Sequence, residues 1–142
     1  QGYLKYYKQR DRKQKPADFL RYMSGDGFEI LVGRNNLQND RLTTKLAGKY
    51  DYWLHTQKIH GAHVILWAEG QRPDDQSLHE AACLAAWFSQ GREGKKVPVD
   101  YTPVKYVKKP AGARPGMVIY TTYRTVNVTP AEDLVKRLQN GK

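Results

Sequence analysis

The chain has 142 residues, with 24 Lys plus Arg against 14 Asp plus Glu, four His and one Cys, for a net charge of +10. That length suits one ordinary domain with a real core, and the 39% hydrophobic and 11% aromatic content argues against a disordered chain. The longest apolar run, Ala81 to Phe88, is far short of the ~20 residues a membrane-spanning helix needs. A lone Cys excludes an intramolecular disulfide and a Cys-rich zinc ribbon. No signal-peptide pattern opens the chain, and the missing initiator Met fits a piece of a longer protein. The positive charge favours a polyanionic partner, most simply nucleic acid.

That charge is segregated. Residues 1–15 and 95–114 each carry a net +5, and the remainder is about neutral. Residues 1–16 read as a basic lead-in or linker ending at Pro16, which leaves 17–142 as the domain. Phe28 to Gly33 reads as a strand with Phe28, Ile30 and Val32 on one face. Asn35 or Asn36 then caps a helix that carries Leu37, Leu42 and Leu46 and stops near Gly48. Asp51–Thr56 and Ala62–Ala68 pair as antiparallel strands. A register that opposes His55 to His63 also opposes Trp53 to Ile65. Ser77 to Glu80 is a capping-box pattern opening a helix at the centre of the core, closed by Gly91. Cys83 in that helix reads as a small buried hydrophobe rather than a catalytic thiol.

Val97 to Val107 is extended, and Pro98 and Pro103 suggest an edge or a bend. Met117–Thr122 and Thr125–Val128 are expected to form a hairpin, and Thr129 to Glu132 a second capping box before a short last helix. Strands and helices mix without regular βαβ repetition. The expected fold class is therefore α+β, a single domain with a mostly antiparallel twisted sheet packed with a few helices.

Catalytic signatures are weak. His55, His60 and His63 with Asp51 invite a zinc reading, but their spacing matches no standard metal motif. There is no nucleophile elbow, Walker loop or dinucleotide loop. Asp51 and His55 on one strand face read better as a polar pair orienting a hairpin than as an acid–base pair. No cofactor or metal is expected. The run Gly33 to Asp40 is richer. Arg34 can fork onto phosphate or a guanine edge, and Asn35, Asn36 and Asn39 carry amides that read base edges at a helix start. Helix capping accounts for one or two of these Asn residues and not for the full run. The tract from Asp100 to Gly116 interleaves Lys105, Lys108, Lys109 and Arg114 with Tyr101 and Tyr106. Cations there neutralise phosphates while exposed rings stack on unpaired bases. The competing reading is an edge strand guarded by lysines.

Ser24 to Asp40, Asp51 to His55, Gly61 to Ile65, Pro98 to Thr102, Val107 to Gly116 and Val128 to Pro130 follow one another in an order that closely resembles the C-terminal RNA-binding (R) domain of NFACT proteins. The resemblance covers about residues 20–130. Ala62 departs from the Ser expected in many members. Some bacterial members carry the name fibronectin-binding protein A. The resemblance implies a cytoplasmic, ribosome-associated module. It implies a parent protein that engages the large ribosomal subunit carrying peptidyl-tRNA, recruits tRNA and supports C-terminal alanine tailing of stalled chains. It also implies upstream domains and a coiled coil feeding the basic lead-in, so this piece is not expected to tail alone. The site residues expected to contact tRNA or ribosomal RNA are Arg34, Asn35, Asn36, Asn39, Lys105, Lys108, Lys109 and Arg114. Trp53, His55, His63 and Tyr101 are expected to shape the platform, with Trp53 stacking on a base if exposed. If all six cations of 95–114 met phosphates, affinity would fall with salt at a log–log slope of about −4 to −5. Two readings compete: a fibronectin-binding surface adhesin, which the lack of an export signal disfavours, and an RNA-processing enzyme using Asp51, His55 and His63.

Overall fold

Alternating and helical hydrophobic patterns resolve into one sheet with helices on one face and a looped layer on the other. The computed structural model describes residues 19–139, so the expected lead-in at 1–16 lies outside the described residues. The strands are β1 (Leu20–Met23), β2 (Glu29–Val32), β3 (Tyr52–Thr56), β4 (Val64–Trp67), β5 (Val97–Pro103) and β6 (Arg124–Val128). The helices are α1 (Asn36–Arg41), α2 (Asp75–Trp87) and α3 (Glu132–Gln139), with a π-helical turn at Leu42–Leu46 and a 3-10 turn at Val104–Tyr106. The strand order is β1-β2-β4-β3-β5-β6, and every neighbouring pair is antiparallel. This is the α+β architecture expected from the sequence.

Both faces of the sheet are buried. Toward α2 and α3 it presents Ile30, Val32, Leu54, Val64, Leu66, Val99 and Val128. These pack on the Ala81–Ala86 stretch and on Val135 and Leu138, so α2 is the centre of the core as its composition implied. The opposite face presents Leu31, Trp53, Ile65 and Trp67, covered by Leu42 and Val104, with Val118 and Tyr120 at the margin. The expected pairing of Trp53 with Ile65 is present.

Several expected elements are rearranged. Asp74, not Ser77, caps α2 by accepting the Ser77 N–H. Ser77 is buried and donates its hydroxyl to Ser24, and the buried Glu80 carboxylate accepts the Gly25 N–H and meets Arg137. These side chains tie α2 to the β1–β2 turn and to α3 instead of capping. Leu37 is 71% exposed, because a six-residue α1 turns its second position to solvent while Leu42 goes inward. β5 is an internal strand, not an edge. Its Pro98 lies opposite Asn127, and its carbonyl takes the Gln57 N–H just beyond β3, where the proline's missing donor costs the ladder little. Met117–Thr122 is not the partner of β6; β6 pairs with β5, and the 117–122 segment crosses the opposite face with a single bridge between Lys108 and Ile119. The Thr129 hydroxyl donates to the Lys95 carbonyl, and α3 starts at Glu132.

Candidate nucleic-acid interface

The turn from β2 into α1 is built by its polar side chains. Asn35 caps α1, accepting the Gln38 N–H at 2.9 Å, and the Gln38 side chain returns to the Arg34 N–H at 2.9 Å. This is reciprocal capping, with two orphan donors satisfied. Asn39 is buried and its side-chain carbonyl accepts the His63 N–H at 3.1 Å. A Cβ at position 33 would lie 2.1 Å from that same oxygen, so only glycine lets the strand end approach α1 this closely. Of the amides expected to read RNA, Asn35 and Asn39 are thus engaged in building the turn. Arg34 and Asn36 are exposed on its surface.

Beneath this turn lies a hub of rings. Trp53 is 1% exposed, so the exposure that stacking on a base would require is absent and the indole is part of the scaffold. Its indole N–H donates to His63 Nδ1 at 3.2 Å, and the Thr43 hydroxyl lies 2.7 Å from the same nitrogen. An indole N–H can only donate, so Nδ1 carries the lone pair and the His63 proton sits on Nε2. Burial pushes the His63 pKa down to about 3, reinforced by His55 and opposed by a hydrogen bond to the Gly116 backbone. His55 stacks parallel to Trp53 at 5.7 Å, with its two ring nitrogens against the carbonyls of Thr56 and Gly61. Burial lowers its pKa as well, against the pull of those carbonyls. The Asp51 oxygens accept the N–H groups of Gly48 and Glu69. These bonds fasten turns. Among the described residues no three His, Cys, Asp or Glu side chains stand together as a metal site. Cys83 is buried, and burial raises its thiol to about 11.

The hub holds the cationic loop in place. Asp40 accepts the Gly116 N–H at 3.0 Å and meets Lys109 Nζ at 2.9 Å. Partial burial alone would raise that carboxyl, but Gly116 and Lys109 together hold it below its ordinary range. At the far end of the loop, Tyr120 packs on Trp53 at 4.7 Å and donates its hydroxyl to the buried Asp100 at 2.7 Å. Burial and that carboxylate both raise the Tyr120 pKa. Gly112 and Gly116 have φ of 78° and 85°, the left-handed region that makes such a turn glycine-dependent. Lys108 and Arg114 are exposed, and no ion pair among the described residues involves either.

The loop and α1 enclose a cleft of about 480 Å³. Asn36, Asn39, His55, His63 and Arg114 line it, together with His60 and Met117. The tertiary structure therefore gathers residues from three separate sequence segments. Tyr101 and Lys105 are not among them: they face a second groove of about 630 Å³ beside the start of α2. Lys95 and Lys96 precede β5 while Lys105 follows it, so seven residues at ~3.3 Å each divide the cationic tract into two separate ends. In the sequence His60 stands out only through the zinc-like grouping of histidines; its position at the rim arises from the β3–β4 connection, which no local pattern marks.

Comparison with known proteins gives a consistent result. The family model described as the NFACT protein RNA binding domain matches residues 18–122. The protein named Rqc2 homolog RqcH from Bacillus subtilis is 46% identical over 142 residues, covering 98% of this chain and 25% of its own length. Its Streptococcus suis namesake is 43% identical over 141 residues, with 97% and 25% coverage. The solved C-terminal structure of the fibronectin/fibrinogen-binding protein from Streptococcus suis superposes with a TM-score of 0.82 at 43% identity, over 88% of this chain and 50% of that one. The chain spans about a quarter of the length of the curated relatives it matches.

Proposed function

The chain belongs to the NFACT RNA-binding domain family, and from that premise we propose that it is a non-catalytic module that grips tRNA or large-subunit ribosomal RNA within a ribosome quality-control factor. The observation that carries this reading is the exposed cationic loop, Lys108 to Arg114, fastened beside the polar α1 turn by the half-buried Asp40 above the buried Trp53–His63 pair. A positive loop on a fixed scaffold binds phosphates without first having to order itself. Arg34, Asn36, Lys108, Lys109 and Arg114 would meet the RNA. Lys105 would meet it from the second groove. In the longer parent, this contact would help hold tRNA on a large subunit carrying peptidyl-tRNA during alanine tailing in the cytoplasm.

The test is a salt series of binding between the 142-residue chain and purified tRNA, with DNA duplex and fibronectin as controls. Lys105, Lys108, Lys109 and Arg114 together account for a log–log slope of about −3, at about −0.7 to −0.9 per phosphate. RNA-preferring, salt-dependent binding that weakens and loses slope in Lys108→Ala/Lys109→Ala supports the reading. An unchanged slope and affinity in that variant would overturn the assignment of the loop. Salt-resistant binding to fibronectin with none to RNA would favour the adhesin reading that the name of the Streptococcus suis protein suggests.

A further inference from the structure

The second groove is absorbed by neither the cationic loop nor the hub. It opens beside the first turn of α2, and five tyrosines line it. Tyr52 and Tyr101 form its floor and pack against the core. Tyr50, Tyr106 and Tyr123 rise at its rim with 59%, 40% and 45% of their surface exposed. Folding alone gives no reason to leave three large rings exposed around one concavity, since apolar ring surface gains by burial.

The rim is preorganised. The Val104 N–H donates to the Asp51 carbonyl and the Lys105 N–H to the Lys49 carbonyl, which clamps the 3-10 turn against the approach to β3. That clamp fixes Tyr50 beside Tyr106. Lys105 Nζ sits 5.2 Å from the Tyr50 ring centre and 5.1 Å from that of Tyr106, in cation–π range of both. Tyr123 is set edge-on to Tyr120 at 5.2 Å, so the rim is braced against the ring that covers Trp53. Three cations line the groove, Lys105, Arg72 and Arg124, against the single carboxylate of Asp75.

We infer that this groove is a separate site for an unpaired RNA base, stacked on Tyr50 or Tyr106 with its phosphates met by Lys105 and Arg124. The inference rests on the RNA-binding reading and deepens it. Flat rings with adjacent cations suit a nucleotide whose π-face is free, and a duplex hides those faces inside its own stack. At about 630 Å³ the groove falls within the range of concave sites that enclose small ligand groups. The loop holds phosphates of paired or unpaired RNA alike, and the groove adds a preference for single strands.

The experiment compares an unstructured single-stranded RNA with an RNA hairpin of equal phosphate count whose strands are joined by a non-nucleotide linker, so that every base is paired. Binding is measured for the unmodified chain, Tyr50→Ala/Tyr106→Ala, Tyr50→Phe/Tyr106→Phe and Lys108→Ala/Lys109→Ala. The alanine pair is expected to lose about 5- to 100-fold in single-strand affinity, with hairpin affinity and salt slope unchanged. The phenylalanine pair keeps the stacking face and is expected to bind as the unmodified chain does. The lysine pair is expected to weaken both RNAs and flatten both slopes. Equal single-strand affinity in the tyrosine-to-alanine pair, equal loss on the hairpin, or loss in the phenylalanine pair would overturn the groove assignment while leaving the loop reading intact. Binding of neither RNA by the unmodified chain would overturn the loop reading and the groove with it. A proline-rich or acidic peptide that occupies the groove, in competition with no RNA, would also overturn it.

Discussion

On the α2 side the sheet buries Val, Ile, Leu and Ala almost exclusively. On the other side it buries two Trp rings with His63, Thr43 and Asn39. The first face rests mainly on close packing against a helix, with polar bonds only where Ser77 and Glu80 tie that helix to the β1–β2 turn and to α3. The second has no long helix over it. It is closed by a short α1, a π-turn and a looped segment, and these are held by directed bonds: Trp53 to His63, Asn39 to His63, Asp40 to Gly116 and Tyr120 to Asp100. Apolar packing tolerates small shifts, whereas hydrogen bonds fix positions. The face that carries the proposed RNA contact is therefore the one held by polar geometry.

The largest way to break that contrast is Trp53→Ala. It removes the covering contact of Tyr120 and the donor to His63, and a loss of about 3–5 kcal/mol in chemical denaturation is expected. Ala82→Gly on the opposite face of the core should cost far less, about 1 kcal/mol from helix propensity. Next comes pH. His63 has its pKa pushed down to about 3 in the fold, against about 6.5 in the unfolded chain. The unfolded state therefore takes up the proton first, and stability falls as pH drops through the window between those values. Between pH 7 and 5 the loss from this residue is expected to be about 2 kcal/mol. His55, shifted in the same direction, adds to it. His63→Asn should shrink that dependence in urea titrations at the two pH values, and an unchanged dependence would mean that His63 takes up its proton as readily in the fold as in the unfolded chain.

A smaller effect separates the loop from the sheet. Asp40→Ala removes the acceptor for Gly116 and the partner of Lys109. About 1 kcal/mol of stability should be lost, and amide exchange at Gly116 and Met117 should accelerate while that of β4 stays slow. Equal acceleration in β4 would show that loop and sheet open as one unit. The smallest effect on stability is expected from Lys108→Ala, within about 0.5 kcal/mol, together with weaker tRNA binding and a slope shallower by about 0.7–0.9.

Much of this was legible along the chain. The strands from β2 onward showed through their apolar and β-branched runs, while β1 was not anticipated; the register of β3 on β4 showed through the placing of Trp53 and Ile65, and the core helix through its unbroken apolar run. These features are encoded locally, because a side-chain period of two or 3.6 is a property of a single element. Leu37 lies in the expected helix yet faces solvent, because a helix this short has no complete apolar stripe to turn inward. The hairpin expected at 117–128 failed because Met117–Thr122 and Thr125–Val128 are both rich in strand-forming residues, and neither segment by itself specifies its partner. Only competition for the free edge of β5 determined that Arg124–Val128 would take it. Whether Trp53 stacks on a ligand depends on its burial, which residue type alone does not encode.

The site divides in the same way. The sequence by itself determined the charge, the capping of α1, the polar turn after β2 and the presence of tyrosines among the lysines. Those are matters of composition and near neighbours. Only the tertiary structure decided that Arg114 shares a cleft with His55 and Asn36 while Tyr101 and Lys105 face another groove. It likewise decided that Lys109 is pinned by Asp40 while Lys108 points free to solvent. The physical reason is that these placements depend on which distant segments bury their apolar surface against each other. That choice is made by the whole chain at once, and no window of sequence contains it.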